Sequence, residues 1–179
     1  MNPQEILKFW FEETTPGQKF KKDAVFDALI RARFAETHRE ASQGELHAWR
    51  STPEGRLAEI IVLDQFSRNL FRDDPQAFAC DGMALVLAQE AVRFGADQAL
   101  DPRRRVFLYM PYMHSESRAI HVIAEQLFRQ LGIAENLKFE LAHKAIIDRF
   151  GRYPHRNAVL GRESTAEERE FLQRPGSSF

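Results

Sequence analysis

One repeated pair of residues constrains this chain most. Asn2-Pro3, Thr52-Pro53, Asp74-Pro75 and Asp101-Pro102 each place a capping side chain directly before a proline. The cap's oxygen satisfies an open backbone N–H at a helix start. Proline at the first helical position has no N–H to leave open, and its φ is already helical. Glycines then close the apolar runs at Gly44, Gly95, Gly132 and Gly151, where a helix can end in left-handed backbone. Between these marks apolar residues recur at helical spacing. Alternating apolar–polar runs bounded by turn dipeptides are absent, so no strand is predicted. The fold class is therefore all-α, an antiparallel helical array of about seven or eight helices in one domain over residues 1–179.

The spacing predicts a first helix from Pro3 that stops near Thr14-Thr15-Pro16-Gly17, and a second from about Asp23 to before Gly44. A short piece holds Leu46 and Trp49. The third helix runs from Thr52 to about Phe71 and is apolar on two faces, as a central helix is. A fourth is expected from Asp74-Pro75 to Phe94, and a short fifth from Asp101 that Pro111 interrupts or kinks. The sixth spans about Ser115 to Leu131 and the seventh about Ala134 to Phe150. Ser164-Thr165 with Glu167 and Glu168 has the capping-box pattern of a last short helix. Trp10, Trp49 and the terminal Phe179 are the aromatic residues whose exposure would mark a contact surface.

Net charge is −1, which argues against wholesale nucleic-acid binding by phosphate neutralisation. Cys80 is the single cysteine. It fits a reducing compartment and sits in an apolar stretch, as an inert buried thiol does. Charged Glu5, Lys8 and Glu12 interrupt any secretory pattern at the start. No uncharged apolar run approaches the roughly 18 residues of a membrane span. The expectation is a soluble cytoplasmic chain with no membrane partner.

Three stretches break the local rules. In LDQFSRNLFR, Asp64 and Arg68 are four apart on the apolar third helix and can pair. The pair either pins neighbouring helices, or Asp64 orients Arg68 toward a pocket. In MPYMHSESRAIHVIAEQ, His114, Arg118, His121 and Glu125 share a narrow stripe if the helix starts early. Their seven-residue spacing is not a metalloprotease signature, so no metal is assigned. Glu116 either acts as an N-terminal helix carboxylate or takes part in a site. In HKAIIDRFGRYPHRNAVLGRES, four arginines (Arg149, Arg152, Arg156 and Arg162) fall within fourteen residues that hold no carboxylate. Their forks suit carboxylate or phosphate. The counter-charge must come from Asp64, Glu116, helix C-termini or a ligand.

LDQFSRNLFR, FLYMPYMHSE and HKAIIDRFGRYPHRNAVLGRESTAEE, with ILKFWF and AFACD, resemble the signature blocks of the bacterial domain-of-unknown-function 924 family. The resemblance covers nearly the whole chain. It implies a tetratricopeptide-like helical fold and no particular activity. The matching positions include Asp64, Gln65, Arg68 and Asn69; His114, Ser115 and Glu116; His143; and Arg152, His155, Arg156, Asn157 and Arg162. GQKFKK stands where a tryptophan-bearing stretch is usual, and SRAIHV departs from the usual segment after Glu116.

No nucleophile-plus-base motif, phosphate loop or dinucleotide loop is present, so no cofactor is assigned. The residues point to a small-molecule site, binding or enzymatic, for an anionic ligand bearing phosphate or carboxylate. Arg68, Asn69, Arg149, Arg152, His155, Arg156, Asn157 and Arg162 would bind it. His114, His143 or His155 would act as acid or base, with Asp64 or Glu116 orienting a histidine or an arginine. The alternative is an interaction module that takes a peptide by its C-terminal carboxylate in an arginine clamp. RNA stacking on Tyr153 is the third reading, and the charge balance disfavours it.

Overall fold

A computed structural model describes residues 1–178. Phe179 lies outside the described residues. The described chain is helical, with no strand among its residues. It divides into two compact units, Met1–Arg72 with Gln76–Pro111, and Asp73–Pro75 with the chain from Tyr112 onward.

In the first unit α1, Pro3–Lys8, opens with the Asn2 side chain accepting from the Gln4 N–H. It continues as a π-helical turn over Phe9–Glu13. The sequence reading leaves nothing between Gly17 and Asp23, but α2 forms there over Pro16–Phe20. Thr15 and Gln18 cap it reciprocally, a box hidden behind what looks like a helix stop. α3, Ala24–Ser42, starts where Asp23 accepts from Val25 and Phe26 N–H groups. A 3-10 turn over His47–Ser51 leads to α4, Pro53–Ile61. α4 passes through a second π turn, Val62–Phe66, into α5, Ser67–Leu70, with right-handed helical backbone at both joins.

The expected fourth helix begins later than its cap signature suggests. Pro75–Phe78 forms only a 3-10 turn, after Asp73 in left-handed backbone, and α6 runs Asp81–Arg93. α7 runs Pro102–Met113 and does not stop at Pro111, which sits in its last turn. A proline there removes one N–H but leaves the turns before it bonded. The boundary between the two units falls at this residue.

Residues 57–70 explain the first unit's core. Leu57, Ala58, Ile60, Ile61, Val62, Leu63 and Phe66 are all fully buried, so this rod is covered on every side. Phe66 meets Phe9, Trp10 and Phe34 at centroid distances of 6.0, 5.7 and 5.0 Å. Trp10 is therefore core, not a contact surface; Trp49 is half-buried. The one acid buried on the rod's α4 segment, Glu59, accepts a two-bond fork from Arg50, both bonds 2.7 Å.

In the second unit α8, Arg118–Leu131, and α9, Ala134–Phe150, pair as a hairpin about Gly132. α8 follows Ser117, so His114 and Glu116 precede it and lie in a turn. After Gly151 the chain makes a 3-10 turn over Pro154–Arg156 and ends in α10, Ala166–Leu172, under the expected Thr165–Glu168 capping box. Ile146, Ile147 and Tyr153 form a core cluster, flanked by Phe150 and Phe171.

Two helical glycines should respond oppositely to alanine. A Cβ on Gly55 would lie 1.9 Å from the Trp49 carbonyl oxygen. The backbone must move, so Gly55→Ala should cost about 2 kcal/mol or more despite alanine's better helix propensity. Gly82 has open space around its missing Cβ, and Gly82→Ala should gain about 0.4–1 kcal/mol. Denaturant midpoints measure both.

Candidate functional site

The arginine-rich loop follows α9 because Gly151, at φ +70, ends the helix in left-handed backbone. Three of its four arginines are held by carboxylates of the same unit. Arg149 grips Glu167 on the surface at 2.6 Å. Arg152 forms a fork on Glu168 at 2.7 and 2.8 Å. Arg162 forms another on Glu116 at 2.6 and 2.8 Å. The Arg152 fork, with the Thr165 N–H and Asn157, outweighs burial and holds the Glu168 carboxyl at about 2. Burial alone would raise Glu116, but the Arg162 fork and the Tyr153 N–H, 2.6 Å away, hold it below the ordinary carboxylate range. Buried Asn157 ties the two together, donating to Ser164 and accepting from Arg162 Nε.

Arg156 is placed differently. It is buried, its guanidinium lies 4.6 Å from the Tyr153 ring centroid, and Nη2 donates to the His114 carbonyl at 3.0 Å. Tyr153 is fully buried and gathers three histidines. Ring centroids of His143, His155 and His121 stand 5.8, 5.5 and 6.3 Å from its own. Its hydroxyl donates to the Met113 carbonyl at 2.6 Å.

The proton positions follow from the partners. His143 Nδ1 faces the Phe139 carbonyl at 2.8 Å, which can only accept. Nδ1 therefore carries the hydrogen, and Nε2 presents a lone pair. Burial first, then the neighbouring His114, His121 and His155, push its pKa down to about 3 despite that bond. His121 is fully buried between Glu140 Oε1, 2.8 Å from Nδ1, and the Ser115 carbonyl, 2.9 Å from Nε2. Nε2 thus donates to Ser115, and Nδ1 pairs with Glu140. Burial raises the Glu140 carboxyl, and the bond from His121 offsets part of that rise.

Asp64, Arg68 and Asn69 belong to the first unit and bind there. Arg68 bonds Asp64, 3.2 Å away, and forks onto Asp81 at 3.0 and 3.1 Å. Asn69 donates to Asp27 at 2.8 Å, which also holds Arg72. Asp27, Arg31, Asn69 and Arg72 border an open cleft of about 400 Å3 floored by Ala24, Ala28 and Ala32. Cys80 is half-buried, and burial pushes its thiol upward.

Sequence reasoning missed Glu140 and Glu168. Glu140 sits three residues before His143 on α9, a spacing that marks a shared face. Glu168 was visible only as a capping residue, and it fills both roles. Among the described residues no group of three or more metal-type side chains could hold a cation.

The buried His143 makes stability depend on pH. Its folded pKa of about 3 lies below the unfolded 6.5, so the unfolded chain takes the proton first as pH falls. Stability is intact above 6.5 and declines toward 3, by on the order of 2 kcal/mol between pH 7 and pH 5. Glu140, raised in the fold, works in the opposite sense. His143→Asn keeps a donor for Phe139 and should remove this loss, as urea midpoints at the two pH values would show.

Comparison with known proteins follows the same chain-wide pattern. The model of the family described as "Bacterial protein of unknown function (DUF924)" matches residues 6–176. The chain is also similar to the solved structure of a protein of unknown function, ATU0120 from Agrobacterium tumefaciens. The two are 40% identical over 96% of each chain, with a TM-score of 0.91. No curated protein matches. The chain belongs to the DUF924 family of bacterial proteins.

Proposed function

We propose that the second unit carries a small-molecule site, built around Tyr153, for an anionic ligand bearing phosphate or carboxylate. The observation that carries this is the company Tyr153 keeps. A permanently charged arginine and three histidines converge on one buried ring. Burying them together is costly, and such perturbed clusters concentrate at functional sites.

Arg156 supplies the cationic fork. His143 is neutral across physiological pH, with its hydrogen on Nδ1, and packs edge-on against Tyr153. A group with a pKa of about 3 is a poor proton acceptor for catalysis near pH 7. Binding is therefore the better-supported role for His143, and half-buried His114 and His155 are the candidates for proton transfer. Arg149, Arg152 and Arg162 are saturated by carboxylates and set the loop's shape. A cytoplasmic setting agrees with the single, inert thiol.

A second reading, an interaction module of the tetratricopeptide-like kind, draws support from exposed Val122, Ile123, Phe139 and Leu141 on the α8–α9 hairpin. Ligand screening separates the two. Phosphate- and carboxylate-bearing metabolites should raise the unfolding midpoint, by about 2.7 kcal/mol at a hundredfold excess over Kd. Arg156→Gln should abolish that shift, whereas Arg152→Gln should lower basal stability and leave the shift intact. A panel without any stabilising compound would favour the interaction module.

A further inference from the structure

A second candidate chemistry lies in the first unit, on α2. α2 carries Lys19 onto an aromatic surface. Its Nζ stands 5.5 Å from the Trp10 ring centroid, 5.4 Å from Phe11 and 5.7 Å from Phe107. Phe20 stacks on Phe107 at 6.4 Å beside it. Among the described residues the Lys19 side chain makes no hydrogen bond or ion pair, so no carboxylate holds its charge. Arg103, anchored to the Phe11 carbonyl, adds a like charge nearby.

An ammonium so placed has lost hydration on one side and gained no acceptor. The rings sit near the outer limit of about 6 Å for cation–π attraction, so they return little. Burial, then Arg103, lower its pKa to about 8. Of the chain's six lysines, Lys144 shows the contrast, bonded to Asp148 at 2.6 Å with its pKa raised.

We propose that Lys19 is the amine through which this chain is acylated by thioesters, ahead of its other lysines. The free amine attacks the thioester carbonyl carbon. The tetrahedral adduct collapses with a new C–N bond, the C–S bond breaks, the thiolate leaves, and the nitrogen's proton passes to water. The product amide is neutral, which removes the repulsion with Arg103. Its acyl chain can lie along exposed Phe20, which stacks on Phe107.

The test treats the intact protein with S-acetyl-N-acetylcysteamine and follows each lysine by peptide mass spectrometry. At pH 7.5 an amine with a pKa near 8 is about a quarter deprotonated, against about 0.1% for an ordinary lysine. Weaker nucleophilicity offsets part of that advantage. Lys19 should react at least tenfold faster than exposed Lys138, with a rate midpoint near pH 8. A rate at Lys19 no greater than at Lys138, or a midpoint at pH 10 or above, would overturn the proposal.

Discussion

The second unit depends on one carboxylate. Glu116, in the turn before α8, accepts both arms of Arg162 and the backbone N–H of Tyr153. One side chain thereby fixes the far end of the arginine loop and the residue at its centre. The Tyr153 ring is then held where His121, His143, His155 and Arg156 pack on it. Charge-assisted bonds of this kind are short and directional, so they set geometry as well as energy. A loop without strands or helices of its own needs such a fixed point, because its backbone supplies few repeating bonds.

The helices were largely legible because capping chemistry is local. Asn2, Asp23, Thr52 and Thr165 each bond backbone N–H groups two or three residues on, as their side chains dictate. The misreadings share a cause. Thr15-Pro16 and Asp74-Pro75 carry the same signal, yet one starts a five-residue helix and the other only a 3-10 turn. A cap marks where a helix starts and says nothing of how far it runs. Extent is decided by packing, as with Pro111, carried within a helix whose last residues are buried.

The site was legible in parts. The loop's excess charge was plain in the sequence, and Glu116 was a foreseeable counter-charge. Glu167 and Glu168 were not, because they lie beyond the loop in a helix whose start already explained them. The role of Tyr153 was also hidden. A ring that collects four neighbours from α8, α9 and a turn leaves no periodic trace along the chain. His143 could be placed on the seventh helix, but its tautomer depends on the Phe139 carbonyl, and its low pKa on burial beside other histidines.

The π turn at Val62–Phe66 has a consequence for chain length. A π turn bonds i to i+5, one residue more than an α turn. Removing any one residue there would let the rod wind as unbroken α-helix, with every backbone bond still made. The π turn already absorbs that extra residue, so the side chains beyond it would keep their direction about the axis. Arg68 would still face Asp81, and Asn69 would still face Asp27. A deletion within the regular turns of Pro53–Ile61 would instead swing everything after it by about 100°, so the π turn is where the rod can change length without changing what it presents.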